Sequence, residues 1–109
     1  MTAQEIRQFA AGVIRTELAA GGIVATRIIL FGSQAVGEAK KDSDWDFLVC
    51  VPDELPFSRR AKISTLIQRK LAASHIHVDL IIRSEASVER ERDNVGVITN
   101  YALKNGIQL

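Results

Sequence analysis

Apolar residues along this chain recur at two different periods, and the switches between the periods mark out short elements. Ile6, Phe9, Ala10, Val13, Ile14 and Leu18 repeat at steps of three and four, the spacing that lays one apolar stripe along a helix. Thr2-Ala3-Gln4-Glu5 just ahead matches a capping box, in which the threonine hydroxyl and the glutamate carboxylate each satisfy an otherwise orphaned backbone N–H. Gly21-Gly22 supplies the stop. Apart from Ala25, Thr26 and Arg27, the run from Ile23 to Phe31 is β-branched or bulky and apolar, too continuous for a strand with one wet face, so a buried strand is expected. Gly32-Ser33 breaks it, Gln34 to Ala39 can hold a short helical turn, and Lys40-Lys41-Asp42-Ser43 reads as a polar loop. A second strand, Trp45 to Val51, ends at Pro52.

Ser58 can cap a second long helix whose apolar face is formed by Ala61, Leu66, Ile67 and Leu71, with Arg59, Lys62, Arg69 and Lys70 exposed and Ser74 near its end. Ile76 to Arg83 alternates as a third strand, with Ile76, Val78, Leu80 and Ile82 on one face and His77, Asp79, Ile81 and Arg83 on the other. A charged, interrupted segment from Ser87 to Arg92 leads into a helix carrying Val95, Ile98, Ala102 and Leu103, which Gly106 can close at its C′ position. The order α-β-α-β-α-β-α predicts an α+β fold, a small mixed β-sheet flanked by helices. Residues 1–109 form one domain, because about 100 to 150 residues build a single core.

Composition narrows the class. Hydrophobic residues make up 47% and charged residues 25% of the chain, ordinary globular usage that excludes disordered and fibrous classes. The net charge of +1 leaves no broad electrostatic footprint for nucleic acid. Cys50 stands alone in an apolar run, where it behaves as a buried small hydrophobe and suits a reducing compartment. No signal pattern opens the chain and no apolar stretch reaches the ~18 residues of a membrane span, so a cytoplasmic protein is expected.

The chemistry concentrates in three places. Gly32-Ser33, directly after a buried strand, can expose backbone N–H groups and a hydroxyl at the start of a helical turn, where partial positive charge favours phosphate. Asp44 and Asp46 sit one residue apart at the start of a strand, so the period of two aims both carboxylates at one face. Like charges so close repel unless a cation lies between them or one is protonated, and Mg²⁺ prefers oxygen ligands. Asp79 puts a third carboxylate inside a strand, where a charge requires a partner. That partner is either His77, Arg83 or a helix N-terminus, or a metal shared with Asp44 and Asp46.

Phe31-Gly32-Ser33, ten intervening residues, then Asp44-Trp45-Asp46 resembles the Gly-Ser, spacer, Asp-x-Asp signature of the DNA polymerase β-like nucleotidyltransferase superfamily. The closest likeness is to its minimal, stand-alone branch often paired with HEPN-domain proteins. Asp79 falls where that family's third strand carries its last acidic residue. Gly37-Glu38-Ala39, Asp42-Ser43 and Lys104-Asn105-Gly106 extend the likeness over nearly the whole chain. The arginines that small members often carry at the positions of Gln34 and Val36 are absent.

The resemblance implies the polymerase β-like fold and Mg²⁺-dependent transfer of a nucleoside monophosphate, AMP from ATP. Asp44, Asp46 and Asp79 would be the catalytic residues and the ligands of two Mg²⁺ ions, and Gly32 and Ser33 would bind the triphosphate. It also implies an acceptor hydroxyl on a partner such as a HEPN toxin, modified for example on tyrosine, with homo- or hetero-oligomers as possible assemblies. The competing reading is an antitoxin-type binding module, weak or inactive in catalysis, that neutralises a HEPN ribonuclease by complex formation. Other chemistries lack their signatures. His75 and His77 have the spacing of surface or hydrogen-bonded histidines, no Gly-x-Ser-x-Gly elbow surrounds Ser33, and no Gly-Lys-Ser/Thr follows Gly32.

Overall fold

The computed structural model describes all 109 residues. Helix α1 (Ala3–Ala20) begins with the expected capping box, Thr2 Oγ1 accepting from the Glu5 N–H at 3.1 Å and Glu5 Oε1 accepting from the Thr2 N–H at 2.9 Å. It buries Ala10, Ala11, Ile14 and Leu18 against the sheet. Strand β1 (Arg27–Phe31) starts four residues later than the apolar run suggests. The Ile23 N–H closes back on the Leu18 carbonyl and leaves Val24 71% exposed, so residues 23 to 26 are spent turning the corner out of α1. A short helix α2 (Ser33–Val36), strand β2 (Trp45–Val51) and helix α3 (Phe57–Ala72) follow.

Helix α3 departs from expectation at its start. Pro56 occupies the N-cap and no side chain caps it, so Ser58 is not the cap. Its buried stripe is Ile63, Ile67 and Leu71, while Ala61 and Leu66 face outward. Strand β3 (Val78–Ser84) starts two residues later and ends one residue later than the predicted span, and Ser84 then caps helix α4 (Glu85–Glu91) by accepting from the Ser87 N–H. Helix α5 (Ile98–Asn105) leaves Val95 outside it and exposed.

A ninth element, strand β4 (Ile107–Gln108), was not expected from the sequence. It pairs antiparallel with β1, Ile29 opposite Gln108 and Leu30 opposite Ile107. Gly106 joins α5 to it in extended conformation rather than as a left-handed cap. A Cβ there would come within 2.4 Å of both the Ala102 carbonyl and Ile29 Cγ2, so the glycine serves close backbone approach.

The sheet order is β3-β2-β1-β4, with β2 parallel to β3 and antiparallel to β1. Helices α1 and α3 cover one face, over Ile28, Leu30, Phe47, Val49, Val51 and Ile82. Val88 of α4 and Ala102 of α5 close the other, over Ile29, Phe31, Leu48 and Cys50. Cover on both sides is why β1 and β2 read as continuous apolar runs. The architecture is thus a mixed sheet between helices, and no helix is long and apolar enough to cross a membrane.

Candidate active site

Gly32 joins β1 to α2 at φ 75° and ψ −161°, a region essentially closed to residues with a Cβ. The Asp46 carboxylate occupies the space a side chain would need, since an ideal Cβ at Gly32 would stand 2.2 Å from Asp46 Oδ2. The turn and the carboxylate are therefore in direct apposition. From Gly32 the chain enters α2, whose first N–H groups lie at Ser33 and Gln34.

Asp46 is opposite Phe31 on one side and opposite Asp79 on the other in the strand register. Cross-strand partners share a face, so Asp46 and Asp79 project together on the side away from α1 and α3. Burial pushes the Asp46 carboxyl above its ordinary value, followed by the nearby charges of Asp79 and Asp44 and a hydrogen bond with the Asp79 side chain. None of the three aspartates forms an ion pair with an arginine or lysine; the ion pairs join Arg27 to Glu85, Lys70 to Glu17, Arg83 to Glu91 and Arg92 to Glu89. A half-buried carboxylate beside Asp79, with Asp44 in electrostatic range and no cation paired to any of them, is donor chemistry that suits a hard divalent ion.

The placement differs from expectation in two respects. Asp79 is exposed, because β3 is an edge strand with its first residues uncovered, and so does not bear the burial a strand-interior aspartate would. Asp44 precedes β2 rather than opening it. It is exposed and lines a hollow against α3 together with Thr65, Gln68, Arg69 and His77. Asp46 and Asp79 meet and Asp44 lies within electrostatic range, but no set of three acidic, histidine or cysteine side chains is gathered tightly enough to grip one ion.

Two arginines, Arg7 and Arg69, escape sequence reasoning as neighbours of the site. Arg7 of α1 donates from Nη2 to the Gln34 carbonyl at 3.4 Å, tying α1 to α2 across 27 residues. Arg69 and His77 border Asp44 through the packing of α3 on β3. Both contacts are long-range, and helical periodicity places Arg7 and Arg69 among ordinary solvated positions.

The sequence profile of the nucleotidyltransferase domain family matches residues 14–105. No curated protein matches the chain. Among solved structures, one assigned provisionally as a minimal nucleotidyltransferase is 27% identical with a TM-score of 0.61, the match covering 100% of this chain and 97% of that one. A chain of a toxin–antitoxin complex crystallised with AMP-PNP is 25% identical with a TM-score of 0.60, covering 89% of this chain and 69% of that one. A third, from the complex of a tri-AMPylated Shewanella oneidensis HEPN toxin with its MNT antitoxin, is 20% identical with a TM-score of 0.61 over 98% of this chain and 71% of that one. At that identity it speaks for the fold.

Proposed function

Because the chain belongs to the nucleotidyltransferase domain family, we propose that it transfers AMP from ATP to a hydroxyl on a partner protein of the HEPN class, using Mg²⁺. The apposition of the Gly32 turn with the Asp46–Asp79 carboxylate pair carries this reading. The AMP-PNP in one structural neighbour and the AMPylated toxin in another support nucleotide and acceptor class.

Asp44, Asp46 and Asp79 would hold the cations, Asp46 from the centre and the other two from its flanks. Bound Mg²⁺ would lower the proton affinity of the attacking hydroxyl and neutralise charge growing on the leaving pyrophosphate. The chain's own part is positioning. The Gly32 and Ser33 N–H groups and the Ser33 hydroxyl donate to β- and γ-phosphate oxygens at the start of α2. Asp79, exposed on the far flank, accepts the acceptor's proton. An acceptor O–Pα bond forms, the Pα–O bond to pyrophosphate breaks, and AMP stays on the acceptor.

A second reading, a non-catalytic antitoxin that neutralises a HEPN protein by contact, is favoured by one observation. The Gln34 amide is bonded to the Ser43 carbonyl at 3.2 Å and Val36 is apolar, so neither offers charge to phosphate. Calorimetric titration of ATP with and without Mg²⁺ separates the two. Transferase action requires Mg²⁺-dependent binding that Asp44→Asn with Asp46→Asn abolishes while the circular dichroism spectrum is kept. Binding indifferent to Mg²⁺ and to both substitutions would leave the antitoxin reading alone standing.

A further inference from the structure

The two edges of the sheet are unequal. β4 is two residues long, while β3 runs for seven, Val78–Ser84, with no strand on its outer side. Successive residues of a strand turn their N–H and C=O groups to alternate sides, and the bonds already made show which way each points. The His77 carbonyl accepts from the Trp45 N–H, toward β2. The Val78 carbonyl accepts from the Gln68 amide and the Ile82 carbonyl from Arg60, both on α3 beyond the edge. Val78, Leu80 and Ile82 therefore face outward, and alternation leaves the Leu80 N–H and C=O without a strand to bond. Helix α3 overhangs this edge without sealing it: beside Leu80 and Ile82 it carries the small side chains of Ala61 and Ser64, and a groove of about 240 Å³ opens between helix and strand. A long edge with free donors and acceptors is a template for another strand.

Its side chains specify which strand. When β3 pairs antiparallel with β3 of a second copy, outward residues must meet outward residues, so the twofold axis passes through a single residue. Centred on Asp79, the register sets like charges opposite each other. Centred on Leu80, it sets Asp79 against Ile81, and centred on Ile82 it carries Asp79 past the end of the strand. Centred on Ile81, Asp79 of each copy faces Arg83 of the other, and Leu80 faces Ile82 with both N–H···O bonds exchanged. The Asp79–Arg83 positions are then non-hydrogen-bonded pairs, where opposed side chains approach most closely. Arg83 can make that move at small cost. Its ion pair with Glu91 is loose, at 3.8 Å, and its other contact, the Ile82 carbonyl at 3.1 Å, is the group the incoming N–H needs. Arg60 reaches the same carbonyl only at 3.5 Å.

We propose that the β3 edge is a homodimer interface, at which two copies of this chain join their sheets antiparallel about Ile81 through Leu80–Ile82 backbone bonds and reciprocal Asp79–Arg83 ion pairs. The strand geometry alone carries it, independent of the transferase reading. It meets that reading at one point: in the dimer Asp79 gains the cation that a single chain does not give it, so Arg83 of the second copy competes with a divalent ion for that carboxylate.

Sedimentation equilibrium of the full chain should show a reversible monomer–dimer equilibrium. Asp79→Arg and Arg83→Asp each set like charges opposite one another and should raise the dissociation constant at least tenfold. The two together restore opposite charges and should return it to within threefold of wild type. In amide hydrogen exchange, the Leu80 and Ile82 N–H groups should be protected at concentrations that hold the wild-type dimer and lose at least tenfold of that protection on dilution. A chain that stays monomeric throughout overturns the proposal, as does a dimer whose Leu80 and Ile82 amides exchange as open ones. A dimer that survives both single reversals, or a double variant as dissociated as the singles, overturns it equally. Should a variant fail to fold by circular dichroism, exchange on the wild-type protein decides alone.

Discussion

Gly32→Ala tests the centre of the site, because the structure separates what the substitution does to folding from what it does to chemistry. The backbone at Gly32, φ 75° and ψ −161°, is nearly closed to alanine and costs about 1–3 kcal/mol, against which the stiffer unfolded chain returns about 0.4–1 kcal/mol. A net loss of roughly 1–2 kcal/mol follows, or about 5–15 °C in Tm for a domain of this size. The new methyl would lie 2.2 Å from Asp46 Oδ2, roughly 1.3 Å short of the ~3.5 Å optimum for non-bonded atoms. A carboxylate on one short stem can swing aside, so the clash adds little to the folding cost. It displaces instead the group that the site is built around, and a shift of ~1 Å can cost about 100-fold in rate. Gly37→Ala is the control. Gly37 is also left-handed, at φ 77° and ψ 17°, but nothing lies within 4 Å of a Cβ there. It should lose only about 1 kcal/mol or less by the same accounting and keep its activity. Urea unfolding gives the stabilities, and AMP transfer from α-labelled ATP gives the rates. A Gly32→Ala protein that is destabilised yet transfers at the wild-type rate would show that Asp46 is not positioned by the turn.

Other expectations concern the fold. Arg27 grips Glu85 through Nε at 3.1 Å and Nη2 at 2.7 Å, and that contact is the main reason the Glu85 carboxyl titrates below its usual range. A depressed acid contributes stability above its unfolded value near 4.5 and loses it as pH falls through the folded value. Glu85 is 38% exposed, so screening limits Glu85→Gln to about 0.2–1 kcal/mol at pH 7. The difference from wild type should shrink progressively as pH falls below 4.5 in parallel urea titrations, and a constant difference would contradict the ion-pair account. Phe47→Ala removes a fully buried ring at the middle of β2 and should cost about 3–5 kcal/mol. Phe57→Ala at 77% exposure should stay within about 1 kcal/mol. Similar melting of the two proteins would overturn the assigned core.

Sequence pattern was enough to place most elements where local chemistry is decisive. The capping box fixes the first residue of α1, Pro52 closes β2, and the two-sided cover of β1 and β2 is written in their unbroken apolar runs. The failures share a cause, which is packing between residues distant in the chain. Apolar continuity extends β1 back to Ile23 because pattern does not register that the Ile23 N–H turns back to Leu18. Strand β4 is two residues long and exists only because β1 offers an edge and Gly106 lets the backbone reach it. The period of two sets Asp44 beside Asp46, but Asp44 falls one residue outside the strand, where alternation no longer dictates direction. Asp79 is legible as an anomaly in an apolar strand, and illegible as exposed, because edge position is a property of the sheet.

The cation balance around the phosphate turn follows from the same long-range contacts. Arg7 is the guanidinium that reaches α2, yet it binds the Gln34 carbonyl, the acceptor pole of that turn rather than the donor pole where phosphate would sit. Its Nε is buried without a partner, a standing cost of that contact. With Gln34 tied to Ser43 and Val36 apolar, the side chains of Gln34 and Val36 would supply no positive charge to a triphosphate held at this turn. Under the proposed function, backbone N–H groups would share the task with whatever cations the carboxylates recruit, and affinity for ATP would then depend steeply on divalent ion. Asp46 carries the larger part of that burden, since it alone touches both the turn and Asp79.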